Sequence, residues 1–462
     1  MRISNAFVFV LFLAVSAAAI GCAPGAGTAE DTDGVPAGDA DELTVRLASP
    51  AVAGSAEPDV FAGDDGQVYM SWFEPVDGDD VEAASTRRGR FALRFARLDG
   101  DTWSTPRTIV EGENFFVNWA DFPSIVATGD TLVAHWLEMN GGRGTSYDVH
   151  ISRSTDHGAT WEESVVPHAD GTPTEHGFVS LVPEPDGGFT AVWLDGRNFS
   201  GFDAADAAST GAQTPAMTLR ATRFDGQGNQ LPEILLDDRI CDCCQTSAAY
   251  VGDTLVAVYR DRSPEEIRDI WTVRRTPDGW QEPTRLAYDD WQIPGCPVNG
   301  PAIAAADDRA AVAWFSLREG NPEVKVAFTH DAGVSFSEPI LLDRGGAPDV
   351  DGSNAHEVAG LADASTATAP IPLGRVDIAW VDDARVAVSW IVARGGKADI
   401  VLQTVDMHGG FGRRHVVATT GSGRASGFPR IVRQRDRLVI AWTETGGDSS
   451  FVRTATIVLP LP

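Results

Sequence analysis

Positive charge is scarce in this sequence of 462 residues, which carries 36 Lys and Arg against 66 Asp and Glu and has a formal net charge of -30. Such an excess of negative charge argues against binding to nucleic acid or to an anionic membrane surface through bulk electrostatics. Segments with a long helical period are also missing, whereas 47 glycines and 27 prolines punctuate the chain. This pattern predicts an all-β protein rather than a helical one.

The first 21 residues contain one Arg, an apolar run from Phe7 and then small residues. This order predicts an export signal, too short to be a membrane span in the mature protein. The signal ends in Ile-Gly-Cys, which resembles the lipobox of bacterial lipoproteins, so Cys22 is predicted to carry the lipid; an ordinary signal peptide cut nearby is the alternative. Residues 22–42 are predicted to be a flexible tether. The protein is therefore expected at the bacterial envelope, on the outer membrane or its periplasmic face.

One strand pattern recurs seven times within residues 43–462. It is an apolar run that closes on an aromatic side chain and is followed by an alternating strand, as a buried strand and a half-exposed neighbour should be. The recurring runs are 68–74, 132–138, 189–195, 255–261, 310–316, 386–392 and 438–444. A spacing of roughly 50 to 75 residues is typical of four-stranded propeller blades with loop insertions. We therefore predict a β-propeller of seven four-stranded blades in one domain, 43–462.

The seventh unit ends at Pro462 without a fourth strand, whereas an unassigned strand at 43–49 precedes the first unit. Pairing this N-terminal strand with the last blade would close the ring and remove its exposed edges. In such a ring the loops between second and third strands share one face with the links between blades. The long segments of the chain fall in these connections, and we predict the functional site on that face, called the loop face below.

Units three to five place the richest set of polar side chains in loop-face connections. Asp195 and Asp261 are the candidate catalytic carboxylates. The candidate ligand-binding residues of this region are Gln245 and four arginines, Arg197, Arg260, Arg262 and Arg268, for which salt-bridge roles are the alternative. Trp119 and Trp291, in loops that link blades, are candidate platforms for a sugar ring or, equally, packing caps. The predicted ligand is a glycan or another small polar molecule, bound by a protein expected to be monomeric.

A second candidate feature is a ring of carboxylates. Two residues after the strand aromatic come Glu74, Glu138, Asp195, Asp261 and Glu444, and residues two apart on a strand face the same way. Five carboxylates at the inner mouth of the ring would shift one another's pKa or attract a cation. A solvated polar end to each strand is the alternative.

Four cysteines lie in the same region, at Cys241, Cys243, Cys244 and Cys296. An even number of cysteines in an exported protein favours disulfides, and we predict that Cys296 pairs with one of the other three. The alternatives are a soft-metal site, because thiolates select copper(I) or zinc, and free thiols. No cofactor is required by the sequence.

Two turns carry a family resemblance. Ser154, Asp156, Gly158 and Trp161 form one S/T-x-D-x-G-x-x-W/F pattern, and Thr329, Asp331, Gly333 and Phe336 form another. Both resemble the Asp boxes, or BNR repeats, of the sialidase (neuraminidase) superfamily. The resemblance implies a propeller with an exo-acting glycoside site built from three arginines, a Tyr/Glu nucleophile pair and an acidic Asp. Known sialidases have six blades, which makes six the alternative to seven.

The sequence departs from the sialidase pattern at several positions. Glu57-Pro58-Asp59 stands where the family has Arg-Ile-Pro, and none of the five tyrosines lies in the last three units. We therefore expect a lipid-anchored, sialidase-like propeller that binds a glycan or polar ligand without sialidase chemistry. An exo-acting glycoside hydrolase or lyase using cleft carboxylates is one alternative. A structural or interaction scaffold of a cell-envelope complex is the other.

Overall fold

The computed structural model describes residues 43–63, 65–76, 89–141, 146–203, 214–345, 369–446 and 449–459. These residues form seven antiparallel sheets arranged as the blades of a propeller. The predicted signal, tether and Cys22 lie outside the described residues, as do parts of several long segments predicted to lie on the loop face. Within the described residues, no helix is both long and apolar enough to cross a bilayer.

The strands follow the predicted repeat. Blade one contains β2 (Ala56–Ala62), β3 (Val68–Pro75), β4 (Phe91–Asp99), β5 (Thr102–Trp103) and β6 (Arg107–Gly112); blade two contains β7 (Ser124–Thr128), β8 (Thr131–Met139) and β9 (Tyr147–Ser154). Blade three contains β10 (His176–Pro183), β11 (Phe189–Asp195), β12 (Met217–Phe224) and β13 (Ile234–Ile240). Blade four contains β14 (Ser247–Val251), β15 (Thr254–Arg260), β16 (Ile270–Thr276), β17 (Gly279–Trp280) and β18 (Thr284–Arg285).

The remaining three blades have the same order. Blade five contains β19 (Ala302–Ala306), β20 (Arg309–Arg318), β21 (Asn321–Thr329) and β22 (Ile340–Arg344). Blade six contains β23 (Ile371–Trp380), β24 (Arg385–Arg394), β25 (Lys397–Asp406) and β26 (His415–Gly421). Blade seven contains β27 (Arg430–Gln434), β28 (Arg437–Gly446), β29 (Ser449–Val458) and the N-terminal β1 (Thr44–Leu47).

Closure of the ring by the N-terminal strand is confirmed. Strand β1 pairs antiparallel with β29, with Thr44 opposite Ile457 and Leu47 opposite Thr454. The count of seven blades follows from this pairing, so the six-bladed alternative is wrong. Blade two differs from the prediction because its fourth strand is reduced to one bridge between Ile151 and Val165.

The core is formed by side chains of the second strands, which pack between neighbouring blades. The aromatic residue of each recurring run is buried; the set is Trp72, Trp136, Trp193, Tyr259, Trp314, Trp390 and Trp442. Indole and phenol groups carry a polar atom that needs a partner when buried. In blades one to three the partner is the carboxylate two residues further along the same strand, at Glu74, Glu138 and Asp195, with N–O distances of 2.8, 2.7 and 3.1 Å.

The predicted ring of five carboxylates at the inner mouth is therefore not formed. The channel, about 1080 Å³ in volume, is lined by the first strand of each blade, and none of the five carboxylates lines it. Four of them lie on second strands and Asp261 directly follows one. Glu74, Glu138 and Asp195 accept hydrogen bonds from indole groups of their own strands. Glu444 instead binds Arg453 at 3.0 Å.

The two Asp-box turns lie on the face opposite the loop face and have the same hydrogen bonds. The Ser154 hydroxyl donates to Asp156 Oδ1 at 2.8 Å and accepts from the Gly158 amide, while Thr160 N–H also donates to Asp156. Thr329 and Asp331 repeat this arrangement in blade five. Gly158 has φ +80°, and a Cβ there would lie 2.2 Å from Phe95 Cζ, so only glycine fits.

Candidate functional site

A buried polar cluster lies on the loop face between blades two and three. Asp148 follows the first residue of β9, and His176 begins β10, where it is opposite Asp195, the last residue of β11. The link between the two blades carries His168 and Asp170 into the same space. These five residues and Arg197 are called the histidine–aspartate cluster. Antiparallel blades bring it together because the strands that meet there all begin or end at this face.

The two histidine rings are stacked, with centroids 3.8 Å apart and an interplanar angle of 5°. His168 Nε2 accepts a hydrogen bond from the Val149 amide at 3.3 Å, so its Nδ1 carries the proton and donates to Asp170 Oδ1 at 3.2 Å. His176 Nδ1 donates to the Tyr147 carbonyl at 3.3 Å. Burial, and then the neighbouring His176 ring, lower the pKa of His168 to about 4. The two hydrogen bonds of His168 thus fix the tautomer of a neutral imidazole.

His176 Nε2 is the atom of this cluster without a hydrogen-bond partner. It lies 3.3 Å from Asp170 Oδ1 and 3.8 Å from Asp195 Oδ2, and the side chain is fully buried. A neutral imidazole nitrogen facing two carboxylates is repelled by both unless a proton or a cation lies between them. The donor atoms of Asp170, His176 and Asp195 lie within 4.8 Å of one another, as do those of Asp148, His168 and His176, so either set could hold a cation that accepts nitrogen and oxygen ligands.

Arg197 closes the outer side of the cluster. Its Nε and Nη2 donate to the two oxygens of Asp195 at 2.7 and 2.6 Å, and its Nη1 lies 2.7 Å from Glu233 Oε1. Burial opposes ionisation of Asp195, but the hydrogen bonds from Arg197 and the adjacent His176 outweigh it and lower the pKa of that carboxyl. Asp195 is fully buried, whereas the side chains of Arg197 and Asp148 are 19% and 26% exposed. Arg197 and Asp148 are thus the groups of this cluster that a ligand can reach.

Sequence reasoning found Asp195 and Arg197 but assigned no role to His168, His176, Asp148 or Asp170. The two histidines are eight residues apart and match no metal motif. One usable signal was present: counting back along the β10–β11 hairpin from its turn places His176 near Asp195, as the observed pairing has it. The stacking of His168 on His176 depends on the path of the link between blades, which has no local pattern.

A second cluster lies between blades three, four and five and is called the cysteine–arginine cluster. It contains Arg260 and Arg268 with four cysteines, namely Cys241, Cys243, Cys244 and Cys296. The sulfurs of Cys241 and Cys244 are 2.6 Å apart, and the Cys296 thiol is a hydrogen-bond partner of Cys243. None of the described cysteines forms a disulfide. The predicted disulfide of Cys296 is therefore absent: three of the thiols group around Cys241, and Cys296 approaches them from the next blade link.

Arg260, a predicted ligand-binding residue, is only 1% exposed. Its Nε, Nη1 and Nη2 donate to the carbonyl oxygens of Asn299, Arg268 and Phe315 at 2.9, 2.5 and 2.6 Å. The guanidinium also lies 4.9 Å from the centre of the buried Trp291 ring, so neither side chain faces the cleft. No local pattern indicates this burial, because an arginine at the end of a strand is usually exposed.

The other candidates of this region also bind one another. Arg262 donates to Asp242 at 2.6 Å and to both oxygens of Glu266, and Arg268 donates to Glu266 at 2.7 Å.

Burial, and then the neighbouring Asp237, raise the pKa of Asp261 to about 7. Asp261 is thus a carboxyl that can hold a proton near neutral pH, as a general acid must.

Gln245 and Trp119 lie at the loop-face end of the channel. Gln245 Nε2 donates to the Ala120 carbonyl at 2.7 Å, and its Oε1 accepts from the Gly300 amide at 2.9 Å, which ties three blade links together. Trp119 stacks on Phe428 with centroids 6.0 Å apart and has Arg375 4.7 Å from its ring centre. The structure thus gives Gln245 a structural role and leaves Trp119 half-buried.

No model of a known protein family matches the chain, and no curated protein matches it. Among solved structures, it is similar to a polysaccharide lyase described as an ulvan lyase bound to -[GlcA(1-4)Rha3S]-, with a TM-score of 0.51 and 9% identity over 89% of this chain and 96% of that one. The intramolecular trans-sialidase of Ruminococcus gnavus matches with a TM-score of 0.42 and 10% identity over 88% and 94%. An α-L-arabinanase of Penicillium chrysogenum matches with 0.41 and 12% over 90% and 97%. At 9% identity, the similarity to the ulvan lyase establishes the propeller fold alone.

Proposed function

We propose that this protein is exported, held at the bacterial envelope by lipid on Cys22, and binds a glycan through its loop face. The histidine–aspartate cluster is the observation that carries the glycan proposal. It places imidazole and carboxylate groups in a buried space whose outer side is formed by the part-exposed Arg197 and Asp148. Sugar hydroxyls donate and accept hydrogen bonds, and a site that offers both an arginine and a carboxylate suits them.

The net charge of the protein restricts the glycans that its loop face can bind. A chain with a formal charge of -30 repels an acidic polymer at long range, so an acidic sugar needs local positive charge. Arg197 supplies it at the edge of the cluster, although it already contacts Asp195 and Glu233. The ulvan lyase with the same fold is bound to a glucuronate-containing ligand, which supports testing uronate polymers beside neutral ones.

Glycan cleavage is the second candidate function, and two carboxyls with opposite pKa shifts favour it. Arg197 helps keep Asp195 ionised despite burial, whereas burial and Asp237 raise the pKa of Asp261 to about 7. Titratable groups whose environments push their pKa values apart are how acid and base roles are divided in hydrolases. Asp261 would then donate a proton to a leaving group.

Binding is tested with the Cys22→Ser protein, which is expected to be soluble, on an array of neutral and uronate-containing polysaccharides. His176→Gln should weaken binding at least about tenfold by removing an imidazole from the cluster. His408→Gln is the matched control because His408 is exposed in a turn on the opposite face, and it should bind as before. Equal binding by both variants would contradict the placement of the site.

Cleavage is measured on the polymers that bind. A lyase produces an unsaturated, ultraviolet-absorbing end, a hydrolase produces reducing ends without it, and a binding protein produces neither. Asp261→Asn should abolish turnover and retain binding if Asp261 is the acid. Failure to bind any polysaccharide would reject the glycan proposal and favour the interaction scaffold.

A further inference from the structure

The four thiols of the cysteine–arginine cluster lie close together. The sulfurs of Cys241, Cys243 and Cys244 lie within 4.8 Å of one another, and Cys296 contacts Cys243 from the next blade link. Because Zn–S bonds are about 2.3 Å long, sulfurs that share one ion lie about 3.5–4 Å apart. The sulfurs of Cys241 and Cys244, 2.6 Å apart, would therefore separate when an ion binds. Thiolate-only donor sets select thiophilic ions such as copper(I) and zinc.

The charge around the thiols is the second observation. Arg260 and Arg268 are 1% and 2% exposed, and no described carboxylate lies within ion-pair distance of Arg260. Arg268 binds Glu266 through Nη2, but its buried Nε and Nη1 have no hydrogen-bond partner. Buried cations are costly unless an anion compensates them. Arg268 is close enough to Cys241 and Cys244 for direct charge interaction, and Arg260 to Cys244.

We propose that Cys241, Cys243, Cys244 and Cys296 bind one thiophilic metal ion, copper(I) or zinc(II), with Arg260 and Arg268 compensating the charge of the thiolates. Three thiolates around copper(I), or four around zinc(II), carry two formal negative charges, which match the two guanidinium groups. Neutral thiols or disulfides would leave Arg260 without an anion, and Arg268 would share Glu266 with Arg262. Arg268 would then donate hydrogen bonds to the metal-bound sulfurs from Nε and Nη1, which have no other hydrogen-bond partner.

The cluster is open on one side. Cys241 and Cys244 are buried and Cys243 is half-buried, whereas Cys296 is exposed. An ion can therefore enter past Cys296 and be held from below by the other three sulfurs. Because Cys296 belongs to the link between blades four and five, and the other three to the link between blades three and four, a bound ion would fasten three blades at the loop face.

The direct test measures metal and thiols in the same sample of full-length protein prepared without oxygen. Elemental analysis should find about one equivalent of copper or zinc, and its identity distinguishes the two ions. Cys241→Ser should remove the metal, whereas Cys22→Ser, the fifth cysteine and outside the cluster, should keep it. After unfolding without reductant, all four thiols of the cluster should react with a labelling reagent.

A second measurement does not depend on how the cysteine variants fold. Metal-free wild-type protein is titrated with copper(I) in competition with a coloured chelator, and with zinc in a separate titration. Arg268→Gln, which keeps all four thiols, should weaken binding about tenfold or more. Loss of thiol labelling through disulfides, or four free thiols that take up neither ion, would overturn the proposal.

Discussion

Blade three separates two buried polar clusters that differ in which charge is in excess. On its blade-two side, Asp148, Asp170 and Asp195 surround two imidazoles and one arginine. On its blade-four side, two buried arginines face four thiols, and Glu266 is the one described carboxylate in contact with them. In the first cluster His176 Nε2 faces two carboxylates without a hydrogen bond, and in the second no described carboxylate lies within ion-pair distance of Arg260. The same scaffold thus holds two polar clusters with opposite excess of charge.

The largest expected effect of a single substitution is at Arg260. Arg260→Met removes the donors of three carbonyl oxygens and one buried charge that the thiols are arranged around. The free energy of unfolding should fall by about 3–5 kcal/mol, as for other broken buried charge networks. Urea unfolding measures it, with Arg394→Met as the control because that side chain is 62% exposed. A loss of unfolding free energy no larger than in the control would show that the buried charge of Arg260 does not stabilise the cysteine–arginine cluster.

Asp195→Asn should have the next largest effect. The amide keeps the shape of the side chain but cannot accept from both Arg197 nitrogens as a carboxylate does, and it leaves Arg197 less compensated. Hydrogen bonds to charged groups contribute about 1.5–3 kcal/mol, which is the expected loss. Asp186→Asn in the same blade is the control, since its partner Arg223 and Asp186 itself are part-exposed and its loss should stay under about 1 kcal/mol. Similar losses in the two variants would show that the buried Asp195–Arg197 pair stabilises the fold no more than the part-exposed Asp186–Arg223 pair does.

The smallest expected effect concerns pH and compares His168 with the buried carboxyl of Asp121, which accepts hydrogen bonds from Phe178 and Tyr147. The folded-state pKa of His168 is about 4, mainly through burial, against about 6.5 when unfolded, so its contribution to stability is present above pH 6.5 and is lost as the pH falls towards 4. Burial raises the pKa of Asp121 to about 7, so its contribution is present below its unfolded pKa and is lost as the pH rises through 7.

The two variants should therefore change the pH dependence of unfolding in opposite directions. His168→Gln should reduce the gain in stability between pH 4 and 6.5, and Asp121→Asn should reduce the loss between pH 4 and 7, each on the order of 1–2 kcal/mol. Urea midpoints across this range measure both slopes. Slopes that move together would show that the His168 ring is not held neutral as the geometry indicates.

The aromatic residue of the second strand shows where sequence reasoning succeeded and where it stopped. All seven runs and their buried aromatics were predicted from local pattern. The runs of blades five and six have no carboxylate two residues on, yet Trp314 donates to Asp289 at 2.7 Å and Trp390 to Asp343 at 2.8 Å. In blade four, Tyr259 donates to Asp237 of blade three at 2.5 Å. In six blades the acid is thus preserved in space although it moves in sequence, which a search at fixed spacing cannot detect. In blade seven the buried Trp442 Nε1 has no hydrogen-bond partner.

What the sequence determined by itself is the repeated blade, because alternation of apolar residues, turn residues and strand length are properties of neighbours along the chain. The pairing of the N-terminal strand with the last blade followed from the same count, because the seventh unit had three strands and the strand at 43–49 belonged to no unit. Which side chains meet between blades was decided only by the tertiary structure. His168 with His176, and Cys296 with Cys243, come together because links of irregular path pack at one face, and no local interaction specifies that path.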